Sequence, residues 1–468
     1  MTMSCIKEEC GVFGVYNKAG IKQLGNLVYF GLFALQHRGQ EAAGIAINSG
    51  GDVELKKDLG LLSDVFSNSP MITKDGDIAV GHVRYSTTGS NTVENAQPLN
   101  ARYYKGSLTI AHNGNICNAP ELRKTLSEQG AIFHSTNDSE VIAYLIAKAR
   151  INTGSIEEAV KEVVPMLTGS FSLLIMSPRK LIAVRDPHGI RPLCMGRIGK
   201  TVVFASESCA LDAVGADFER DIKPGEIRVV TPDDEFSIED YCGQTPALCI
   251  FEHVYFARPD SEIDGQSVNG ARVNAGKLLA KQHPVDADVV IGVPDSGLAG
   301  AIGYSIESGI PYGVGLIKNR YIGRTFIQPS QAMRERSVAL KLNVLKANVE
   351  GKRVVMIDDS IVRGTTTANI IKMLKHAGAT EVHVRIASPK FLYPCFFGTD
   401  IPDQDQLAAV KYTHEELTRR IGADSLGFLD LDSVDQMAPD SKLSFCKACF
   451  TGDYPCPVPC KVNKLEFE

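Results

Sequence analysis

After residue 268 the chain alternates helical and continuously apolar stretches, and that rhythm leaves few folds open. "GARVNAGKLLAKQH" reads as a helix, "ADVVIGVP" as a buried strand, "SGLAGAIGYSIESG" as a helix and "GKRVVMIDDS" as a second buried strand. "TTTANIIKMLKHAGA" then reads as a helix and "EVHVRIAS" as a strand. Strands built from Val and Ile have no side that tolerates water, so both faces must be covered. Helices between successive strands supply that cover, which is the condition of a parallel α/β sheet.

Up to about residue 240 the pattern differs, with short strands separated by Gly, Asn and Ser turns and a few helices. "FSLLIMS" and "KLIAVRD" look like adjacent antiparallel strands joined by "PRK". "SEVIAYLIAKAR" (139–150) is a helix for which Asp138 or Ser139 would supply the cap, and "SIEEAVKEVVPML" is another. The segment "FEHVYFARPDSEIDGQS" (251–267) is the seam, and the last 70 residues look like mixed helix and loop. A net charge of −6 argues against a nucleic-acid partner. No apolar stretch suggests a membrane span, and the leader MTMSCIKEE has no apolar core of a secretory signal. The expected compartment is therefore the cytoplasm, where twelve Cys serve as thiols, catalytic groups or metal ligands rather than disulfides.

The strongest local signal is "VVMIDDSIVRGTTT" (354–367). A buried strand delivers Asp358 and Asp359 to its C-terminal end, where open α/β sheets bind ligands. The loop after it, with Ser360, Arg363, Gly364, Thr365 and Thr366, offers hydroxyls and backbone N–H groups to a phosphate at a helix N-terminus. Carboxylates beside such a cradle suit ribose hydroxyls and Mg²⁺. The plainer alternative is an acidic turn that only caps the helix. The motif resembles the ribose-phosphate signature of type I phosphoribosyltransferases. "VPDSGLAG" (293–300) follows another buried strand as a pyrophosphate loop, with Ser296 as a third Mg²⁺-site residue. The basic segment 318–343, with its arginines and Lys341, reads as a lid over a polyanion, the alternative being a solvated loop.

"KEECGVFGVYNKAG" (7–20) places Cys10 at the mouth of a short strand whose glycines suggest close approach of another backbone. Cys10 is either core filling or, once MTMSCIKEE is removed, the first residue of a mature chain. The motifs "CGVFGV", "LQHRGQEAAG" (35–44), "GHVRYSTTG" (81–89), "AHNGNICN" (111–118) and "TNDSE" (136–140) together resemble the glutaminase domain of N-terminal-nucleophile amidotransferases. Joined to the second half, they resemble the family of glutamine phosphoribosylpyrophosphate amidotransferases over nearly the whole chain, in its subtype with a propeptide and an iron–sulfur cluster.

That resemblance implies a propeptide (1–9), an α+β glutaminase domain with an αββα sandwich (10–240), an α/β phosphoribosyltransferase domain with a parallel sheet (241–400), and a helical, Cys-containing extension (401–468). It implies attack of the Cys10 thiol on the glutamine amide, with the α-amino group freed by leader removal as general base, its unperturbed pKa being roughly 7.7–8.0. The Asn113 side chain and the Gly114 N–H would form the oxyanion hole, with Gly114 admitting the substrate closely. Arg84, helped by Thr87, would hold the glutamine carboxylate, and Asp138 its ammonium. His37 and Arg38 either act directly or hold the Cys10 strand. Cys5 lacks the following Gly and strand, and Cys117 is a small core residue.

The implied reaction transfers glutamine's ammonia to phosphoribosyl pyrophosphate through an internal channel, with Tyr255 as a wall candidate. Amidotransferases with other acceptors share the first half but not the Asp358–Asp359 loop, and a non-enzymatic sensor would have no use for Cys10. Feedback by purine nucleotides and a homo-oligomer, a tetramer, follow by resemblance alone. In the tail, "CKACFTGDYPCPVPC" read locally gives Cys446, Cys449, Cys456 and Cys460 as a compact zinc site. The resemblance selects instead Cys249, Cys395, Cys446 and Cys449 around a 4Fe-4S cluster.

Overall fold

The computed structural model describes residues 9–86, 89–319, 342–399, 401 and 403–459. Thr87, Cys5, Cys460 and nearly all of the expected lid lie outside the described residues.

Two antiparallel sheets form the first half. One has seven strands in the spatial order Asp217–Asp221, Cys194–Ile198, Thr201–Ala205, Gly11–Tyr16, Ile78–Arg84, Ala42–Ser49 and Asp52–Leu59. The other has six, in the order Glu235–Ile238, Ile227–Val230, Leu181–Arg185, Gly169–Met176, Gly106–Ile116 and Leu99–Tyr103. Val12, Val80, Leu174, Leu181 and Phe204 meet between the sheets. The outer faces are covered by helices: Leu24–Ala34 packs on Phe13, Val15 and Ile45, and Asp138–Asn152 with Ile156–Val163 packs on Ile110, Phe171 and Leu173. The result is an αββα sandwich with the Cys10 strand at mid-sheet, every residue of Gly11–Tyr16 buried.

Two local expectations change. The close neighbours of Gly11 and Gly14 are side chains, not backbone: a Cβ at Gly14 would stand 2.9 Å from Leu174 Cδ1 of the facing sheet, and one at Gly11 3.0 Å from Val83 Cγ2. The cap of the Asp138–Asn152 helix is Asn137, whose side chain accepts from the Ser139 N–H. Asp138 and Ser139 therefore lie in the first turn, and the Asp138 carboxylate is left for other partners.

The second half is built on a parallel sheet ordered Val289–Gly292, Arg353–Asp358, Glu381–Ile386, Ser425–Phe428. Three strands match the apolar rhythm. The fourth comes from the tail expected to be helix and loop; "SLGF" is too short and too rich in Gly and Ser to stand out as a buried strand. One face is covered by the helices Val268–Gln282 and Gly297–Ser308, the other by Thr365–His376 and His414–Ile421. The first two helices touch backbone to backbone, since a Cβ at Gly276 would lie 1.9 Å from the Gly300 carbonyl oxygen and one at Gly303 1.9 Å from that of Val273.

Alanine in place of Gly276 gains about 1 kcal/mol of helix propensity, yet the clash is with backbone that cannot rotate away. Gly276→Ala is expected to lose about 2 kcal/mol net through overpacking, read as a lower urea midpoint by circular dichroism; an unchanged or raised midpoint would contradict this packing.

Candidate functional site

Cys10 enters the sheet at the start of its strand and is 5% exposed. Its thiol donates to the Tyr85 carbonyl at 3.3 Å, and the Tyr85 N–H points back at Sγ from 3.4 Å. Burial pushes the thiol up to about 11, with the Tyr85 hydrogen bond and the Arg84 charge opposing the rise and Asp138 adding to it. Arg84, from the adjacent strand, is buried and donates to Ser86 Oγ at 3.0 Å and to the Ser90 carbonyl at 3.3 Å. Asp138 accepts from the Ile116 N–H at 2.9 Å. Burial works against its ionisation, but His112 and the N–H groups of Ile116 and Ser139 outweigh it and hold the carboxyl below its usual range. One cation and one carboxylate thus flank the thiol, which suits a zwitterionic amino acid.

Asn113 lies on Gly106–Ile116, 1% exposed, and neither its side-chain oxygen nor its nitrogen has a partner among the described residues. A buried amide left unsatisfied costs about 1–3 kcal/mol, which suits a donor reserved for a ligand. Gly114 is required for a reason other than substrate access. Its φ of +147° is one L side chains rarely adopt, and a Cβ there would lie 2.1 Å from the Ser170 carbonyl oxygen of the neighbouring strand.

At the second site, the strands Val289–Gly292 and Arg353–Asp358 are paired neighbours and end at the same sheet edge. Their loops are tied together by the Ser296 hydroxyl, which donates to the Asp359 carboxylate, as does Ser360. Burial pushes both Asp358 and Asp359 carboxyls up, and for Asp358 the neighbouring Asp359 charge adds to it. Gly364, at φ +78°, turns the chain into the helix Thr365–His376, which begins with Thr365 and Thr366. Arg363 donates to Gln406 Oε1 at 2.7 Å.

Charges run along the seam between the two sites; reading the sequence singles out His37 and Arg38 but not their carboxylate partners. Arg38 donates through Nη1 and Nη2 to both carboxylate oxygens of Glu252, at 2.9 and 2.8 Å. It also donates to Glu207 at 2.6 Å and through Nε to the Cys10 carbonyl at 2.9 Å. His37 bonds Glu207 Oε1 at 2.8 Å and the Ala34 carbonyl at 3.1 Å. Arg38 therefore holds the Cys10 strand directly, while His37 reaches it only through the shared Glu207 carboxylate. Glu252 opens a π-helical turn, Glu252–Phe256, that includes Tyr255. Arg272 clamps this turn by donating to the carbonyls of His253, Tyr255 and Ala257 at 2.8, 3.0 and 2.7 Å, and the Asp359 charge acts on its guanidinium. From the second half, the loop Phe396–Thr399 lies on the Asn113 strand: Asn115 donates to the Phe396 carbonyl at 2.8 Å, Ser170 to that of Phe397 at 2.7 Å, and Arg191 Nε to the same oxygen at 3.1 Å. The only sequence signal for Glu252 is a charge inside the apolar run "ALCIFEHVYF", and Glu207 and Arg191 have none.

The long-range cysteines do converge. Cys249 and Cys446 are register partners in a two-stranded parallel ladder. The Cys449 carbonyl accepts from the N–H groups of Leu392 and Tyr393, close to Cys395. All four line one apolar cavity with Phe251, Phe397 and Tyr454. Cys456 does not line that cavity, but it packs with Cys249, Cys395 and Cys446 against the adjoining cluster of Cys117, Ile190, Phe396 and Phe397.

Known proteins match both halves. A family described as glutamine amidotransferase domain matches residues 82–213, and one described as phosphoribosyl transferase domain matches 265–388. The chain is 48% identical to an amidophosphoribosyltransferase of Methanocaldococcus jannaschii over 96% of its own length and 98% of that protein's. It is 46% identical to one of Bacillus subtilis, over 97% and 95%. The solved glutamine phosphoribosylpyrophosphate amidotransferase of B. subtilis, complexed with ADP and GMP, superposes with a TM-score of 0.90 at 45% identity, covering 98% of this chain and 100% of that one.

Breaking a buried ion pair from one side strands the other charge. Arg38→Met and Glu252→Leu are each expected to lose about 3–5 kcal/mol, and the double variant less than their sum, by urea unfolding in a double-mutant cycle; single losses under about 1 kcal/mol would mean that the pair does not hold the seam.

Proposed function

The chain belongs to the amidophosphoribosyltransferase family, and from that premise we propose how its residues perform the reaction. The enzyme hydrolyses glutamine and transfers the ammonia to phosphoribosyl pyrophosphate, giving 5-phosphoribosylamine, glutamate and pyrophosphate, the first step of purine biosynthesis. The observation that carries this reading is the joining of a buried thiol site and a paired-Asp loop in one chain by the Arg38–Glu252 pair.

Arg84 takes the glutamine carboxylate and Asp138 its ammonium, so the amide carbon is presented to Cys10 Sγ. A thiol pushed up to about 11 is almost wholly protonated at neutral pH, and needs a base at hand. Removal of residues 1–9 supplies one, because the freed Cys10 α-amine takes the thiol proton and returns it to the leaving ammonia. The Asn113 amide and the Gly114 N–H stabilise the oxyanion. Water then hydrolyses the γ-glutamyl thioester to glutamate. Ammonia passes through the seam beside Tyr255 and attacks the anomeric carbon of phosphoribosyl pyrophosphate, held at Ser360–Thr366, while pyrophosphate departs over the 293–296 loop.

Two groups complete this reading. Adjacent buried carboxyls pushed upward are hard oxygen donors in want of a cation or hydroxyls, so Asp358, Asp359 and Ser296 fit Mg²⁺, which supplies neutralisation of the departing pyrophosphate. Cys249, Cys395, Cys446 and Cys449 fit a 4Fe-4S cluster, which supplies a structural staple, since neither reaction moves electrons. A single zinc needs its sulfurs within about 4 Å of one another, and among the described residues no three Cys, His, Asp or Glu close to a single-ion site. A relative's complex with ADP and GMP supports feedback by purine nucleotides. We extend the reading to a homotetramer working in the cytoplasm; no helix among the described residues is long and apolar enough to cross a membrane.

Cys10→Ser is expected to abolish glutamine-dependent synthesis while ammonia-dependent synthesis is retained; loss of both in a folded variant would overturn the division. Asp358→Asn and Asp359→Asn each remove a charged hydrogen-bonding partner worth about 1.5–3 kcal/mol, so both syntheses should fall about 10- to 100-fold, and unchanged kinetics would remove these residues from the site. Purified without oxygen, Cys249→Ser and Cys395→Ser should lose iron while Cys456→Ser keeps it, and the reverse pattern would favour the local tail site.

A further inference from the structure

Glu9, the last residue of the leader, is 1% exposed. A carboxylate is rarely buried without dedicated partners, and a segment destined for removal has no need to bury one. Glu9 Oε1 accepts from Thr399 Oγ1 at 2.9 Å. Its Oε2 contacts the Arg191 guanidinium and lies 3.6 Å from Arg38 Nη2. The same Arg38 holds the Cys10 carbonyl through Nε at 2.9 Å, and Cys10 Sγ is held at the Tyr85 backbone. The residues on both sides of the Glu9–Cys10 peptide bond are therefore fixed, and one guanidinium touches both.

The charge balance marks Glu9 as a temporary occupant. Arg38 and Arg191 face three carboxylates, those of Glu9, Glu207 and Glu252, of which Glu207 also has His37. Burial, reinforced by Glu252 and opposed by Arg191 and Arg38, pushes the Glu9 carboxyl up to about 7. Once the leader has gone, two guanidiniums face two carboxylates. Thr399 and Glu252 both come from the second half of the chain, so the pocket is incomplete until the halves have docked.

We propose that this pocket recognises Glu9: seated on Thr399, Arg191 and Arg38, its side chain holds the Glu9–Cys10 bond in position for cleavage, so that the leader leaves only after the second domain has docked. The inference rests on the reading that residues 1–9 are removed. The step is a hydrolysis: water adds its hydroxyl to the Glu9 carbonyl carbon, the C–N bond breaks, and a proton goes to the Cys10 nitrogen. Glu9 is thus a positioning residue, and it leaves with the leader.

The test follows leader loss by intact mass over time after expression of the full chain is stopped. Glu9→Ala and Thr399→Val should slow it at least about tenfold, the worth of one hydrogen bond to a charged group, whereas Glu9→Gln keeps the acceptor for Thr399 and should cleave much faster than Glu9→Ala. Glu9→Ala cleaving at the wild-type rate, or Glu9→Gln as slow as Glu9→Ala, would overturn the pocket. In a chain whose initiator Met directly precedes Cys10, Thr399→Val should hydrolyse glutamine like its parent; loss of activity there would show that Thr399 serves the fold and not the leader. A wild-type chain that keeps residues 1–9 while fully active would instead overturn leader removal itself.

Discussion

A guanidinium with no solvent exposure, Arg38, lies between carboxylates from different parts of the chain, and everything around the seam is arranged about it. Its attraction to Glu252 is offset by the cost of stripping water from both groups, so it adds little net stability over a hydrophobic contact. What it adds is specificity. A seam lined by these charges cannot slide, because any displaced arrangement leaves an unpaired charge in a medium that cannot solvate it. Arg38 also holds the Cys10 carbonyl, and Glu252 opens the turn whose carbonyls Arg272 clamps beside Asp359. Cys10 and the seam turn that lies near the Asp359 charge are thereby held by a single set of contacts.

The same burial explains why the thiol site needs a base of its own. Exclusion of water would keep ammonia from being lost or protonated on the proposed reading, and the same burial pushes the Cys10 thiol up. On the proposed reading, an amine on the same residue would supply that base without opening the site, and removal of residues 1–9 would create it. Removal of the leader also relieves a pocket holding one carboxylate more than its guanidiniums balance. Chemistry and electrostatics thus favour the same mature N-terminus.

The sequence carries much of this, unevenly. The Val- and Ile-rich strands and their intervening helices were legible because burial on both faces leaves a continuous apolar run, as in Val289–Gly292 and Arg353–Asp358. Ser425–Phe428 was not, being four residues without such a run. At Gly114 the sequence showed one use for glycine, close approach of a substrate, but not the constraint from the Ser170 carbonyl across the ladder. Arg38 could be read as a support for the Cys10 strand, but its partner could not. Which carboxylate a lone buried Arg meets is decided by pairing across more than two hundred residues. In the tail, local spacing groups Cys446 and Cys449 with Cys456 and Cys460 and gives no hint of Cys249 and Cys395, which the fold places with Cys446 and Cys449 around one cavity.

On the proposed reading, nitrogen released at the Cys10 site reaches the Asp358–Asp359 site through the seam of one molecule. The direct measurement supplies amide-¹⁵N glutamine with phosphoribosyl pyrophosphate, Mg²⁺ and equimolar unlabelled ammonium, and reads the isotope in 5-phosphoribosylamine by mass. Transfer through the seam gives product carrying ¹⁵N undiluted by the ammonium pool. Product whose label matches the mixed pool would show that ammonia escapes to solvent between the sites and would contradict the claim.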